Sequence, residues 1–361
     1  MTKFFCADSS RQAEEDIIGS GTNYQTYVLV ECRPPWAEEA FDTKYVPQNL
    51  KNLVAEMKET KLPVRFLLIN SGKLKSTNYT KVLIYEKQKE WLSNGYKRKE
   101  FDVEDIEQVA PIVKQYLNGE APDYESEESD TSQLRDILVC THGKHDKCCA
   151  KYGNPFYFQA VATITHLNLS NVRIWQASHF GGHRFAPTAI DFPDGRYYGV
   201  LDQESFRSIL TRSGDINCLN KVYRGWGILP TSIQVLEREL IFRYGWDWFK
   251  YKVAGRIIEQ NLDKSVIKAE LTFNTLDNSL HTYRADLVKD ESKTLRLKGS
   301  CGTTKESEFV KYSVVNIHLD SDNRSEVAAH EYVRNVNINK GFTRLRKSKF
   351  FVKFQGTNPS H

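Results

Sequence analysis

The chain has 361 residues, 40% hydrophobic and 27% charged, enough to bury more than one core. A net charge of +4 does not argue for nucleic acid at this length, and no apolar run reaches the length of a membrane span. Seven cysteines without close-set regularity, and an opening MTKFFCADSSRQAEED lacking an apolar core of secretory length, fit a reducing, cytoplasmic setting.

In chain order, YVLVEC at Tyr27–Cys32 reads as a first strand, closed by Arg33-Pro34-Pro35-Trp36. Leu50, Leu53, Val54 and Met57 recur at helical spacing. VRFLLI at Val64–Ile69 is a buried-type strand, and Lys81–Tyr85 a second. Val103, Ile106, Val109, Ala110, Val113 and Leu117 predict an amphipathic helix over Val103–Leu117, ended by Asn118-Gly119. From 119 to 133 the composition turns to Glu, Asp, Ser, Pro and Gly, the mark of a solvated acidic linker.

A second unit repeats the order. Ile137–Thr141 is a strand, Pro155–Leu167 a helix, Val172–Ala177 a strand, and Ala189–Leu201 a strand pair turned by Pro193-Asp194-Gly195. Gln203–Thr211 is a helix. Cys32 closes its strand as Cys140 closes the later one, so two related α/β units are expected, strand-helix-strand-strand-helix each. A thioredoxin-like architecture fits both. After Cys218 a helix follows Pro230, stopped at Gly245, and Trp246, Trp248 and Phe249 are expected to pack inward. Beyond Val253 alternating patterns predict a small antiparallel β unit. The closing TRLRKSKFFVKF, with Arg344, Arg346, Lys347, Lys349 and Lys353, reads as a solvated edge strand rather than a docking patch. The expected division is 1–118, a linker at 119–133, 134–217, and an extension at 218–361.

The chemistry gathers between Asp136 and Leu201. Cys140 with Cys149, and His179 with His183, form two pairs of potential metal ligands, each just after a short apolar run. Adjacent strands would deliver both pairs to one sheet edge. Two thiolates and two imidazoles suit Zn²⁺ and also an iron–sulfur cluster. The C-x₈-C spacing exceeds that of most zinc knuckles, and a two-iron cluster needs two such pairs, each serving one iron. With two ferric ions and two sulfides, two thiolates and neutral imidazoles leave no net charge, whereas four thiolates leave two negative charges. The mixed set therefore favours a higher potential, and the imidazoles couple the electron to a proton.

The segments CTHGKHDKCCAKYG and SHFGGHRFAPTAIDFPDGRYYG, with Tyr223-Arg224-Gly225 further on, resemble the sucrase/ferredoxin-like family of thioredoxin-like ferredoxins. The resemblance is specific over about Leu138–Gly199. It implies a [2Fe–2S] cluster held by Cys140, Cys149, His179 and His183, and an electron-transfer role with an unidentified redox partner protein. His145 departs from the family pattern, which has Arg there.

Other residues have simpler readings. Cys148 is the rival ligand to Cys149, and the two could instead form a redox-active vicinal dithiol, at the cost of backbone strain. His142 and His145 could join Cys148 around zinc, though solvated loop residues are commoner. Asp146 is expected to accept backbone N–H groups, and His166 to be structural. Cys6, Cys32, Cys218 and Cys301 have no partner at ligand spacing and read as ordinary thiols. No nucleophile–base pair or paired carboxylates stand out, so no catalytic residue is assigned and a redox carrier is expected rather than a catalyst. The rival functions are a zinc-stabilised Cys₂His₂ binding module and a thiol oxidoreductase using Cys148 and Cys149.

Overall fold

The computed structural model describes residues 4–72, 79–120 and 134–320, so most of the acidic linker and the basic closing stretch lie outside the described residues. After a short helix α1 (Cys6–Gln12), the first half runs β1 (Thr26–Glu31), α2 (Gln48–Glu59), β2 (Val64–Asn70), β3 (Thr80–Lys87), β4 (Tyr96–Val103) and α3 (Val109–Asn118). The second runs β5 (Arg135–Cys140), α4 (Asn154–His166), β6 (Val172–Ala177), β7 (Ala189–Phe192), β8 (Arg196–Tyr198) and α5 (Gln203–Thr211). Then come α6 (Leu219–Val222), β9 (Tyr223–Trp226) and α7 (Ile233–Tyr244). The remaining strands are β10 (Lys252–Gln260), β11 (Val266–Asn274), β12 (Leu280–Lys289), β13 (Leu295–Lys298), β14 (Glu306–Phe309) and β15 (Tyr312–Leu319). The fold is mixed α/β, with one large mixed sheet and smaller antiparallel ones.

The large sheet has the order β4-β3-β1-β2-β6-β5-β7-β8-β9. Within it the first half reads β2-β1-β3-β4 and the second β6-β5-β7-β8, with the same directions: a parallel pair, then two antiparallel steps. The halves join edge to edge where Ile69 and Asn70 pair antiparallel with Ala177 and Gln176. The repeated element order is therefore visible in the topology.

Two cores lie on opposite faces. Val28, Val30 and Cys32 face one with Leu50 and Phe101, while Tyr27 and Leu29 face the other with the second half and the C-terminal strands. The pleat sends alternate residues to opposite faces, and this corrects the matching of Cys32 to Cys140. The Cys32 N–H bonds the Ile69 carbonyl as the Thr141 N–H bonds that of Ala177. Cys32 thus corresponds to Thr141, and its thiol lies in the other core.

The start of the helix expected over Val103–Leu117 also differs. Val103 is the last residue of β4, paired with Thr80, and α3 begins only at Val109 after a 3₁₀ turn in which Asp105 accepts the Glu107 N–H. Strand β4 (YKRKEFDV) escaped the alternation test because Arg98 and Glu100 occupy partly or fully buried positions on it, satisfied by ion pairs. Pro155 stands in the first turn of helix α4, directly after the π-helical turn Cys149–Gly153. At α5, Asp202 and Ser205 form a capping box. Trp248 and Phe249 are buried, as the inward reading expects. Strands β10, β11, β12 and β15 form the antiparallel unit, and β13 with β14 makes a separate hairpin. No helix among the described residues is long and apolar enough to cross a membrane.

Asp136, the second residue of β5, carries a buried carboxylate. It accepts from Tyr85 Oη, from Trp175 Nε1 at 2.6 Å and from Arg173 Nε at 2.7 Å, while Arg173 also reaches Glu100 at 3.0 Å. Asp136→Leu would leave the Arg173 charge half-paired in a low-dielectric seam. We expect a loss of about 3–5 kcal/mol, read as a lower denaturant midpoint, as for breaking other buried pairs. An unchanged midpoint would show the network to be dispensable.

Candidate metal centre

The parallel register of β5 with β6 sets Cys140 directly opposite Ala177, two residues before His179. Cys149 opens a turn of π-helix, Cys149–Gly153, that runs into α4. Gly153 has to be glycine: a Cβ there would overlap the Cys140 carbonyl oxygen. Gly182 stands at φ +79°, and a Cβ would strike the Arg224 guanidinium, which bonds the Gly181 carbonyl at 3.2 Å. These contacts hold both ligand loops against the ends of the strands.

The structure brings Cys140, Cys149 and His179 into one group of potential ligands and His145, His179 and His183 into another. The imidazole of His179 belongs to both. Its Nδ1 lies 3.7 Å from each of the Cys140 and Cys149 sulfurs, and its Nε2 lies 3.4 Å from His183 Nδ1. His183 Nε2 is 2.6 Å from the Gly299 carbonyl, which can only accept, so this nitrogen carries the proton and Nδ1 is a bare lone pair. His179 Nε2 accepts the Gly181 N–H at 3.1 Å. These nitrogens, 3.4 Å apart, match the edge of about 3.3 Å expected when both bind one tetrahedral ion at 2.0–2.1 Å, which would take the His179 Nε2 lone pair from the Gly181 N–H.

Electrostatics favours ligand-ready forms. Burial, reinforced by the neighbouring imidazoles of His145 and His183, pushes the His179 pKa down to about 2, and burial also lowers that of His183. Burial pushes the Cys140 thiol up, but the Cys149 thiol and the N–H groups of His142 and Phe180 outweigh it and bring Cys140 below the usual cysteine value. Cys149, which gives its hydrogen bond to Cys140, is raised. Cys140 is therefore the first of the pair to become a thiolate.

The remaining candidates have other surroundings. His142 bonds the Ala37 carbonyl at 2.6 Å through Nε2 and accepts the His179 N–H through Nδ1 at 3.3 Å, so it positions the loop rather than joining Cys148. His145 stacks on His179 with ring centroids 4.0 Å apart. Cys148 and Cys149 point to different partners: Cys148 Sγ sits 3.3 Å from Cys301 Sγ and 3.5 Å from Cys6 Sγ. The reading of Cys6 and Cys301 as partnerless thiols is thus overturned, because residues far apart in sequence meet in space. Asp146 accepts the N–H groups of Cys148 at 2.8 Å and Cys301 at 2.9 Å, as expected of a loop-fixing carboxylate. Sequence reasoning missed Arg65, which donates to the His179 carbonyl at 2.7 Å, and Gly299, whose carbonyl no side-chain pattern could reveal. An open cleft of about 430 Å³ lies beside His142, His145 and His179.

Fold and site together define a mixed α/β protein with cysteine and histidine groups able to hold metal. More particularly, the chain belongs to the sucrase/ferredoxin-like family, whose model matches residues 17–225, more than half its length. Neither the curated proteins nor the solved structures yield a match.

The depressed pKa of His179 has a stability consequence. An unfolded imidazole titrates near 6.5, so the unfolded chain binds this proton first, and stability present above about pH 6.5 is lost as pH falls toward 2. In metal-free protein the denaturant midpoint should fall through that range, and less steeply in His179→Gln. Identical pH profiles would rule His179 out as the titrating group.

Proposed function

We propose that the protein is an electron carrier holding a [2Fe–2S] cluster on Cys140, Cys149, His179 and His183. The observation that carries this is the donor set: two buried thiols on one side of His179, and on the other the unprotonated Nε2 of His179 facing the bare Nδ1 of His183. When bound, such a cluster would supply one-electron transfer. The residues supply the rest. Cys140 and Cys149 provide negative charge, the neutral imidazoles withhold it and favour a potential above that of an all-cysteine site, and Gly299 fixes which nitrogen of His183 is free. The repeated strand order supports reading each half as thioredoxin-like, the first without ligands, followed by a C-terminal extension. The cleft beside His145 and His179 is where a redox partner protein would approach, in a cytoplasmic setting.

The test is iron and acid-labile sulfide in anaerobically purified protein, with about two of each expected per chain. Cys149→Ser should abolish the visible absorption, whereas Cys148→Ser should leave it nearly unchanged, since Cys149 rather than Cys148 meets His179 and the Cys148 thiol meets Cys301. One zinc in this site and no sulfide would establish the zinc-module reading instead.

Proton coupling gives a second prediction. Added negative charge makes an imidazole's outer nitrogen hold its proton more tightly, so the midpoint potential should fall with rising pH by up to about 59 mV per unit. The hydrogen bond from His183 Nε2 to the Gly299 carbonyl favours the protonated form and moves that slope toward alkaline pH. Protein-film voltammetry reads it, and replacing both histidines with cysteine should lower the potential and flatten the slope. A flat wild-type profile would remove proton coupling from the reading.

A further inference from the structure

At the ligand loop, apart from the cysteine–histidine groups, three thiols and a carboxylate converge. Cys6 comes from α1, Cys148 and Asp146 from the ligand loop, and Cys301 from the turn between β13 and β14. The sulfurs are 3.3 Å (Cys148–Cys301), 3.5 Å (Cys6–Cys148) and 3.6 Å (Cys6–Cys301) apart, and Asp146 Oδ1 is 3.9 Å from Cys6 Sγ. We propose that Cys6, Cys148, Cys301 and Asp146 form a second metal site, a tetrahedral Zn²⁺ site distinct from the cysteine–histidine centre.

The distances carry most of the case. Thiolates bound to tetrahedral zinc at about 2.3 Å stand about 3.8 Å apart, and a thiolate and a carboxylate oxygen about 3.5 Å. The observed edges lie within about half an ångström of these, whereas a disulfide needs about 2.05 Å. All three cysteines are free thiols. Three sulfur donors exclude Mg²⁺ and Ca²⁺, which take oxygen, and suit a borderline-soft ion in a closed site.

The surroundings are those of bound thiolates. The Ala7 N–H points at Cys148 Sγ at 3.4 Å and the Cys6 N–H at Cys301 Sγ at 3.5 Å, so backbone donors face the sulfurs. Asp146 is itself oriented by the N–H groups of Cys148 and Cys301, the outer support that ligating carboxylates receive. Cys6 and Cys148 are buried while Cys301 is partly exposed, which leaves an entry path. Such an ion would clip the N-terminal helix and the C-terminal hairpin to the ligand loop. Its role is structural: it holds the hairpin that presents Gly299 to His183.

The proposal does not depend on what the other centre holds, and the test keeps them apart. Full-length protein is purified anaerobically from reducing cytoplasm without chelators, as wild type, Cys6→Ser, Cys301→Ser and Cys140→Ser. About one zinc per chain is expected in the wild type, lost in Cys6→Ser and Cys301→Ser and kept in Cys140→Ser, which strips only the other centre. Should the serine variants fail to fold, Co²⁺ added to metal-free Cys140→Ser reads the site with its four ligands intact. Strong thiolate-to-cobalt absorption, displaced by Zn²⁺, is expected. Wild type without zinc, zinc lost with Cys140→Ser instead, iron in place of zinc, absence of the cobalt band, or a disulfide joining Cys148 to Cys6 or Cys301 would each overturn the proposal.

Discussion

The candidate centre depends on the register of one strand pair. In the parallel pairing of β5 with β6, Asp136 stands opposite Arg173 at one end and Cys140 opposite Ala177 at the other. The ion pair between Asp136 and Arg173 is buried and shares its acceptors with Tyr85 and Trp175, so a slipped register would leave charges unpaired away from water. A slip of one residue would also turn Cys140 to the other face. The same pairing that satisfies a buried carboxylate therefore brings a thiol within reach of the loop carrying His179. Glu100 extends the network from β4, so the outer strand of the first half helps hold the register of the second.

The repeated topology shows what distinguishes the halves. Both place a parallel pair at the centre and end it at a loop, yet β1 ends at Glu31, followed by Cys32, where β5 ends at Cys140, followed by Thr141. Because the pleat alternates, a cysteine one position later lies in the opposite core and cannot act as Cys140 does. The first half contributes instead by position. Its Leu68 carbonyl accepts the Ser178 N–H, Ser178 Oγ accepts the Leu68 N–H, and Arg65 holds the His179 carbonyl. The first half thus serves as a wall that fixes the histidine loop of the second.

Most elements were legible because apolar periodicity reports burial directly: Val172–Ala177 and Gln203–Thr211 are found at their expected bounds. Strand β4 was hidden because its inward residues include Arg98 and Glu100, whose burial is compensated by partners on β5 and β6 that no local window contains. The pairs Cys140–Cys149 and His179–His183 could be seen because short loops carry both members of each. Cys6 and Cys301 could not, since they meet across almost the whole described chain. The joining of β2 to β6 rests on only two residue pairs, too few to leave a pattern.

The centre is completed by segments outside the family match. That match spans residues 17–225 and includes Cys140, Cys149, His179 and His183, but not Cys6, Gly299 or Cys301. Bringing α1 and the β13–β14 hairpin together closes a very long loop, and the entropic cost must be met by contacts at the junction. Those contacts are ionic as well as sulfur-based. The buried Glu15 receives the partly buried Arg184, the residue after His183, at 3.0 Å and the buried Lys311 at 2.9 Å. His183 is therefore held on one side by a hydrogen bond to the hairpin and, through its neighbour, by an ion pair to the N-terminal segment. A protein cut to the matched region would retain the four proposed ligands but lose the groups that set the tautomer and position of His183. In this chain the proposed ligands and the means of holding them are encoded in different parts of the sequence.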